Sequence, residues 1–233
     1  MVDLTTSLLA LDIGQSDVEL EVRYCVGGVL SPLLANIALS VLDEHFAKAW
    51  ERDMATRTQR ATRRDHGDPT YRIIRYADDC VVMVHGTREH AEGLRSEVEA
   101  VLSNVGLRLN KEKTSVCHID EGFDFLGFRI QRQQKRGSHK TFVYTWPSRK
   151  SLSSIMAKVK AITRQGTNNP LSDLLRQING VLRGWTNYFR HGVSKDTFAY
   201  LHQFTWLRVV GWLRRKHHRA NWLWLRRHYL AHA

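Results

Sequence analysis

The stretch that decides the fold is TYRIIRYADDCVVMVHG, residues 70–86. Two adjacent acids, Asp78 and Asp79, interrupt a run of β-branched and aromatic residues, which predicts two antiparallel strands joined by a tight acidic turn. Two carboxylates about 4 Å apart repel by about 4 kcal/mol at an effective dielectric constant of about 20. Water, a cation or protonation of one acid must compensate for this repulsion. The pair therefore suggests a divalent metal site, and the alternative is an ordinary polar turn.

The distribution of charge divides the chain into two contrasting parts. Residues 1–124 hold 14 Lys and Arg against 21 Asp and Glu, which gives a net charge of −7. Residues 125–233 hold 21 Lys and Arg against two acids, Asp173 and Asp196, which gives +19. A segment that is this basic and also aromatic indicates a polyanionic partner, namely nucleic acid. In the alternative, a merely solvated surface, acids would be interspersed among the bases.

Composition also excludes several classes of protein. No apolar run approaches the roughly 18 residues of a membrane span, and the N-terminal sequence lacks the positive region of a secretory signal. The cysteines, Cys25, Cys80 and Cys117, are odd in number and widely spaced, which argues against a disulfide framework or a zinc site. Their spacing fits a reducing compartment, so we expect a cytoplasmic protein without a membrane partner.

Apolar periodicity predicts helices in both parts of the chain. Ser31-Pro32 begins a helix with apolar residues at i+4 spacing as far as Trp50, and Thr87 caps a second helix that ends near Gly106. Residues 51–70 are polar and indicate a mobile connection between the first helix and the acidic hairpin. Strands are expected after residue 114, over 123–131 and over 141–146, and helices follow to the end of the chain.

Five segments carry motifs in a fixed order. They are GGVLSPLLANIALSVLDEHF (27–46), YADD (76–79), LNKEKT (109–114), GFDFLGF (122–128) and INGVLRGWTNYFRHG (178–192). Together they resemble the reverse transcriptase and maturase proteins encoded by group II introns. A single YADD would be a weak signal, whereas five motifs in the same order are specific.

The resemblance implies an α+β fold in two parts. Residues 25–146 would form a partial right-hand polymerase palm, an antiparallel sheet with helices. Residues 147–233 would form an all-α thumb or maturase-specific domain that binds RNA. Residues 1–24 match no motif of the family and are expected to lie outside the palm.

The resemblance also implies roles for individual residues of the first part. Asp78 and Asp79 would be the catalytic carboxylates that hold Mg²⁺ for nucleotidyl transfer. Gly27 and Gly28 would let the template or nucleotide approach the backbone, although a plain tight turn is the alternative. Lys113 would face the nucleotide phosphates, although a solvated Lys-Glu-Lys segment is equally consistent. Primer contact would fall to the GFDFLGF hairpin, at Phe125, Leu126 and Gly127.

The basic second part supplies the candidates for contact with RNA. A stripe of arginines follows one face of the helix that begins at Asn169-Pro170 and ends at Gly192, and a basic, aromatic segment ends the chain. Trp185, Tyr188 and Phe189 fall on the apolar face of that helix and predict core packing. The terminal segment favours RNA over an interfacial membrane helix, which is the alternative. The RNA-binding candidates are Arg176, Arg183, Arg190, Arg214, Arg215, Lys216, Arg226 and Arg227.

The departures from the family pattern weaken the expectation of polymerase chemistry. The family places a further aspartate on an earlier palm strand, several dozen residues before the Gly-Gly pair. Asp12, in LALDIGQS, has only a faintly similar setting and lies too close to Gly27. Cys25-Val26 also replaces the Pro-Gln that the family has before the glycines. We therefore expect an N-terminally truncated member whose metal site lacks one ligand and whose chemistry is impaired.

Three functions remain open from the sequence. The chain is an RNA-directed DNA polymerase of the group II intron type, a non-catalytic maturase-like module that assists splicing, or an inactive gene remnant. The expected partner is intron-like RNA, with an RNA/DNA hybrid as a further candidate. A separate chain carrying the missing palm strands and fingers, or a homodimer, could complete the fold.

Overall fold

The computed structural model describes the backbone of residues 6–12, 31–110 and 114–230. The chain divides into a first unit, Met1–Leu126 with Ile130–Val143, and a second unit, Gly127–Arg129 with Tyr144–Ala233. The elements in chain order are β1 (Thr6–Asp12), α1 (Ser31–Asp53), α2 (Arg57–Asp65), β2 (Thr70–Tyr76), β3 (Asp79–His85), α3 (Arg88–Ser103), β4 (Ser115–His118), β5 (Phe123–Phe125), β6 (Phe128–Gln134), β7 (Thr141–Pro147), α4 (Arg149–Arg164), α5 (Leu171–Phe189), α6 (Lys195–Lys216), α7 (Trp222–Leu225) and a π-helical segment (Arg226–Leu230).

The first unit is built on a four-stranded antiparallel sheet in the order β2-β3-β1-β4. β2 and β3 form the hairpin that the apolar pattern predicts, and their register pairs Tyr76 with Asp79. β1 lies between β3 and β4, and it pairs Leu9 with Val82 on one side and with Val116 on the other. A strand near the N-terminus therefore completes the centre of the sheet.

The position of β1 corrects the expectation that residues 1–24 lie outside the palm. Thr6–Asp12 is a strand within the sheet. Its apolar run, Leu8-Leu9-Ala10-Leu11, is too short and too uniform to show a period of two residues. Both of its neighbours are distant in sequence, so no local pattern could have predicted the pairing.

The core of the first unit lies between one face of this sheet and the helices α1 and α3. Cys80, Val82 and Val84 alternate along β3 and are buried, because successive side chains of a strand point to opposite faces. By the same alternation, Asp79 and Val81 share the second face. The helical residues packed on the first face are Leu39, Leu42, Phe46, Ala91, Leu94, Val98 and Leu102.

Residues 51–70 contain a helix, α2, where the composition predicts a mobile connection. A capping box starts it: the Gln59 backbone N–H donates to Thr56 Oγ1 (3.1 Å), and the Thr56 N–H donates to Gln59 Oε1 (2.9 Å). Arg60 ties the helix to the preceding chain by donating to two carbonyl oxygens. No residue of α2 is buried, so hydrophobic periodicity could not reveal it.

The second unit is a helical bundle in which α4 packs against both α5 and α6. Ser148 caps α4, since its hydroxyl accepts from the Ser151 N–H (3.2 Å). A palm-like sheet with packed helices, followed by this bundle, confirms the predicted α+β fold class. The buried cluster comprises Leu174, Ile178, Val209, Trp212, Leu213 and Leu225.

Three aromatic residues near the end of α5 do not all lie in the core. Phe189 is buried, and Trp185 is half-buried, with its indole N–H donating to Ser151 Oγ (3.1 Å). Tyr188 is 52% exposed, so the prediction of core packing is wrong for this residue. Its ring packs against Phe128 and Phe189, at centroid distances of 5.4 and 4.8 Å, at the edge of the apolar face.

A second sheet contains β5, β6 and β7 in that order. The two-residue turn between β5 and β6 places both Leu126 (φ +48°) and Gly127 (φ +79°) in the left-handed region. Positive φ at both central positions is the type I′ pattern, which matches the twist of a hairpin. This turn divides residues 123–131, which are expected to form a single strand, into β5 and β6. The sequence does not predict the turn, because leucine rarely adopts positive φ and Leu126 therefore does not indicate a turn.

Candidate active site and nucleic-acid interface

The acidic pair lies where the β2–β3 hairpin closes. Ala77 and Asp78 form the two-residue connection, and Asp79 is the first residue of β3. Ala77 has φ +53°, a left-handed conformation that is unfavourable for a residue with a Cβ atom. Asp78 is half-buried and Asp79 is exposed. The strained turn therefore presents two adjacent carboxylates at one end of the sheet.

The register of β1 brings a third acidic residue to the same place. The backbone pairs Asp12 with Asp79, and the next pair along the strands is Leu11 with Cys80. Asp12 thus occupies the row of the sheet that contains Asp79 and Tyr76. From its place in the sequence, Asp12 is expected to lie too close to Gly27 to belong to the palm. The register contradicts this expectation, because β1 pairs directly with β3 and places Asp12 opposite Asp79.

The donor chemistry of Asp12, Asp78 and Asp79 fits a hard divalent cation. Mg²⁺ prefers carboxylate oxygens, and the three positions are aspartates. Among the side chains that the structure describes, no group of three or more His, Cys, Asp or Glu is arranged to hold a metal ion. Asp78 and Asp79 are the two carboxylates at the hairpin turn, and the backbone register places Asp12 opposite Asp79.

Arg75 supports the acidic turn from the adjoining strand. Its Nε donates to both carboxylate oxygens of Asp43, at 3.1 and 3.0 Å, and its guanidinium also donates to the Ala77 carbonyl oxygen (3.1 Å). The hydrogen bond with Asp43 is the main cause that raises the pKa of Arg75; burial opposes it, and the negative charge of Asp78 adds to it. Neither residue stands out in the sequence, since a lone Arg and a lone Asp have no diagnostic spacing.

Some predicted site residues lie beyond the described part of the chain. Gly27, Gly28 and Lys113 lie outside the ranges that the structure describes. The primer-contacting candidates Phe125, Leu126 and Gly127 lie within them and form the β5–β6 turn and its approach.

The glycine of this turn occupies a close-packed position. A Cβ atom at Gly127 would lie 3.3 Å from the Phe189 ring, and its φ is positive, so both space and conformation favour glycine. Phe125 belongs to the first unit, where it lines an apolar cavity of about 300 Å³ together with Val81, Met83 and Phe123. The cavity lies on the sheet face that also contains Asp79.

The basic residues of the second unit fall into two groups. Arg215 donates to the Thr163 carbonyl oxygen, and Lys216 donates to the carbonyl oxygens of Thr167 (2.7 Å) and Asn169 (2.8 Å). These cations stabilise the carboxyl end of α4 and the chain that follows it. Arg208, which sequence reasoning missed, adds a hydrogen bond to Thr163 Oγ1 (3.1 Å).

The other basic candidates lie on the surface. Arg176 forms an exposed i,i+3 pair with Asp173 (3.2 Å), and Arg214 stacks over the Trp222 ring at 5.5 Å. Exposed surface pairs of this kind are weak and leave the cation available to a polyanion. The remaining exposed candidates are Arg183, Arg190, Arg226 and Arg227.

Comparison with known families assigns both parts of the chain. A family described as reverse transcriptase (RNA-dependent DNA polymerase) matches residues 6–130, and one described as group II intron, maturase-specific domain matches residues 152–230. The first match begins at β1 and ends within β6. The fold and the acidic turn thus define a reverse transcriptase palm followed by a maturase-specific helical domain.

Curated relatives make the assignment more specific. The chain is 35% identical to protein YkfC of Escherichia coli over 58% of its own length and 40% of the relative. It is 25% identical to the group II intron-encoded protein LtrA of Lactococcus lactis (65% of the chain, 31% of the relative) and 29% identical to nuclear intron maturase 1, mitochondrial, of Arabidopsis thaliana (66% and 23%). The chain belongs to the reverse transcriptase and maturase family of group II introns. It spans less than half the length of these relatives.

Within the described ranges, none of the helices combines the length and the apolar character that are needed to cross a bilayer.

Proposed function

We propose that this chain is a group II intron-type RNA-directed DNA polymerase and maturase. In this proposal the first unit carries out nucleotidyl transfer and the second unit binds folded intron RNA. The observation that carries the proposal is the register that places Asp12 opposite Asp79, because it supplies the third acidic position that the sequence alone did not reveal. A cytoplasmic location is part of the proposal, because the odd number and wide spacing of the three cysteines fit a reducing compartment.

The residues of the first unit have distinct tasks in this proposal. Asp12, Asp78 and Asp79 would hold the divalent ions, which when bound stabilise the charge that develops on the attacking and leaving oxygens. The two-residue connection keeps Asp78 and Asp79 adjacent at the end of the hairpin, which supports a shared role in holding a cation. The β5–β6 turn at Leu126 and Gly127 would contact the primer strand.

The second unit would bind RNA through its unpaired positive charge. Arg183 lies exposed on one side of α5 and Arg190 is the exposed residue directly after the helix, while the opposite side of α5 packs into the bundle through Leu174 and Ile178. Cations held on a rigid helix contact phosphate oxygens without a large loss of conformational freedom. The substrate class in this proposal is therefore a structured RNA that also serves as template.

Primer extension on an RNA template in the presence of Mg²⁺ tests the proposal. We expect Asp12→Asn and Asp78→Asn each to lower the rate by about 10²-fold or more, because a displaced metal loses the in-line geometry. Asp68→Asn is the matched control, since Asp68 is an exposed acid of the same unit and lies in the connection before β2.

Two outcomes would contradict the assignment of roles. Extension that is insensitive to Asp12→Asn would remove Asp12 from the site. Absence of extension by the unaltered chain, with RNA binding retained, would favour the non-catalytic maturase-like module.

A further inference from the structure

A single arginine connects the acidic turn to the first helix. The Arg75 guanidinium donates to the Ala77 carbonyl oxygen (3.1 Å), to Asn36 Oδ1 (2.9 Å) and to the Asp43 carboxylate (3.0 Å from Nε). Asn36 and Asp43 are seven residues apart on α1, which places them on the same face, two turns from each other. The planar fork of one side chain therefore bonds to the helix and to the turn at the same time.

The surroundings of Arg75 make these bonds effective. Its side chain is 15% exposed, so competing water is largely excluded from the guanidinium. The pKa of Arg75 is raised, chiefly by the hydrogen bond with Asp43, which favours the charged form of the guanidinium. That charge lies close enough to Asp78 to offset part of the repulsion between the two turn carboxylates.

The turn itself requires such support. Ala77 adopts φ +53°, and a residue with a Cβ atom persists in this region only where neighbouring groups hold it there. The carbonyl oxygen that Arg75 binds belongs to this same residue. A change at Arg75 would therefore act directly on the peptide that sets the direction of Asp78.

We infer that Arg75 is a positioning residue that fixes the acidic turn against α1 and thereby presents Asp78 and Asp79 to a divalent cation. The part of the inference that concerns the cation rests on the proposed function. The part that concerns the turn rests on the hydrogen bonds of Arg75 alone. In the sequence, α1 begins three residues after Gly28. Arg75 thus bonds both to the acidic turn and to α1, the helix that follows Gly27 and Gly28 in the sequence.

The main test compares two conservative variants on one strand. Arg75→Lys keeps the charge but replaces the planar fork by a single nitrogen, which cannot reproduce the separate bonds of Nε to Asp43 and of the terminal nitrogen to Asn36 and Ala77. Arg72→Lys is the matched control, because Arg72 also belongs to β2 but stacks over the Trp50 ring at 5.0 Å. Binding of Mn²⁺ to the full chain, measured by electron paramagnetic resonance, should weaken 10–100-fold in Arg75→Lys and stay unchanged in the control.

A second measurement needs no metal. Amide hydrogen exchange of the metal-free protein should become at least about tenfold faster at Asp79, the residue paired with Tyr76 across the turn, in Arg75→Lys, with the core of β3 unaffected. Faster exchange with unaltered Mn²⁺ affinity would make Arg75 merely structural and overturn the inference, as would unaltered exchange. If the unaltered chain itself bound no Mn²⁺, the proposed metal site would fail, and exchange alone would decide whether Arg75 holds the turn.

Discussion

The two units of this protein neutralise their charges in different ways. In the first unit, cations pair with carboxylates of the same fold: Arg75 with Asp43, and Arg132 with Asp120. In the second unit the sequence provides only two acids, Asp173 and Asp196, against many cations. Its cations therefore bond to backbone carbonyls or face outward. The first unit can balance much of its charge internally, whereas the second carries a large excess of positive charge.

The largest effect that follows from this difference is the salt dependence of RNA binding. If the second unit contacts 6–10 phosphates, affinity for structured RNA should fall about 10³–10⁵-fold between about 50 and 200 mM salt, because counterions are released on binding. Fluorescence anisotropy with a labelled intron-like RNA would measure this slope. A flat response would mean that the outward-facing arginines do not bind phosphate, and the contrast between the units would then lose its functional meaning.

The difference between the units also decides what could be predicted from sequence. The helices of the second unit and the YADD hairpin follow from local periodicity and turn chemistry, and the structure confirms them. The third acidic position depends on β1, whose partners β3 and β4 are far away in sequence. Alternation and capping patterns describe one segment at a time, so they could place Asp78 and Asp79 but could not bring Asp12 to them.

The roles of individual cations were equally hidden. Arg215 and Arg183 have the same side chain and similar neighbours in the sequence. Only the packing of α6 against α4 shows that the first of them reaches the Thr163 carbonyl oxygen. The helix that packs beside a cation decides whether the cation stabilises the fold or is available to bind RNA. The sequence does not reveal which helices pack together.

An effect of intermediate size separates these two cations. Arg215→Ala should lower the free energy of unfolding by about 1 kcal/mol, below the usual range for a hydrogen bond with a charged group because Arg215 is exposed to solvent, with little change in RNA affinity. Arg183→Ala should leave stability unchanged, weaken RNA binding and reduce the salt slope by about one. Denaturant unfolding and anisotropy titrations measure the two quantities. If both variants lost RNA affinity equally and neither lost stability, the division into structural and RNA-facing cations would be wrong.

The smallest effect concerns the pH dependence of the first unit. The hydrogen bond from Arg132 is the main cause that lowers the pKa of Asp120 below its usual value of 3.8; burial opposes it, and the charge of Arg132 adds to it. Because the folded-state pKa is depressed, the stabilisation is fully present above the unfolded-state pKa and is lost as the pH falls through the folded-state pKa. The Asp120 side chain is 51% exposed, so solvent screening limits the gain to less than about 1 kcal/mol. Arg132→Gln should remove most of this small pH-dependent stabilisation and Asp120→Asn all of it in denaturant titrations between about pH 5 and pH 3, because His118 also lowers the pKa of Asp120. An unchanged pH profile in either variant would show that a group other than this ion pair carries the pH dependence.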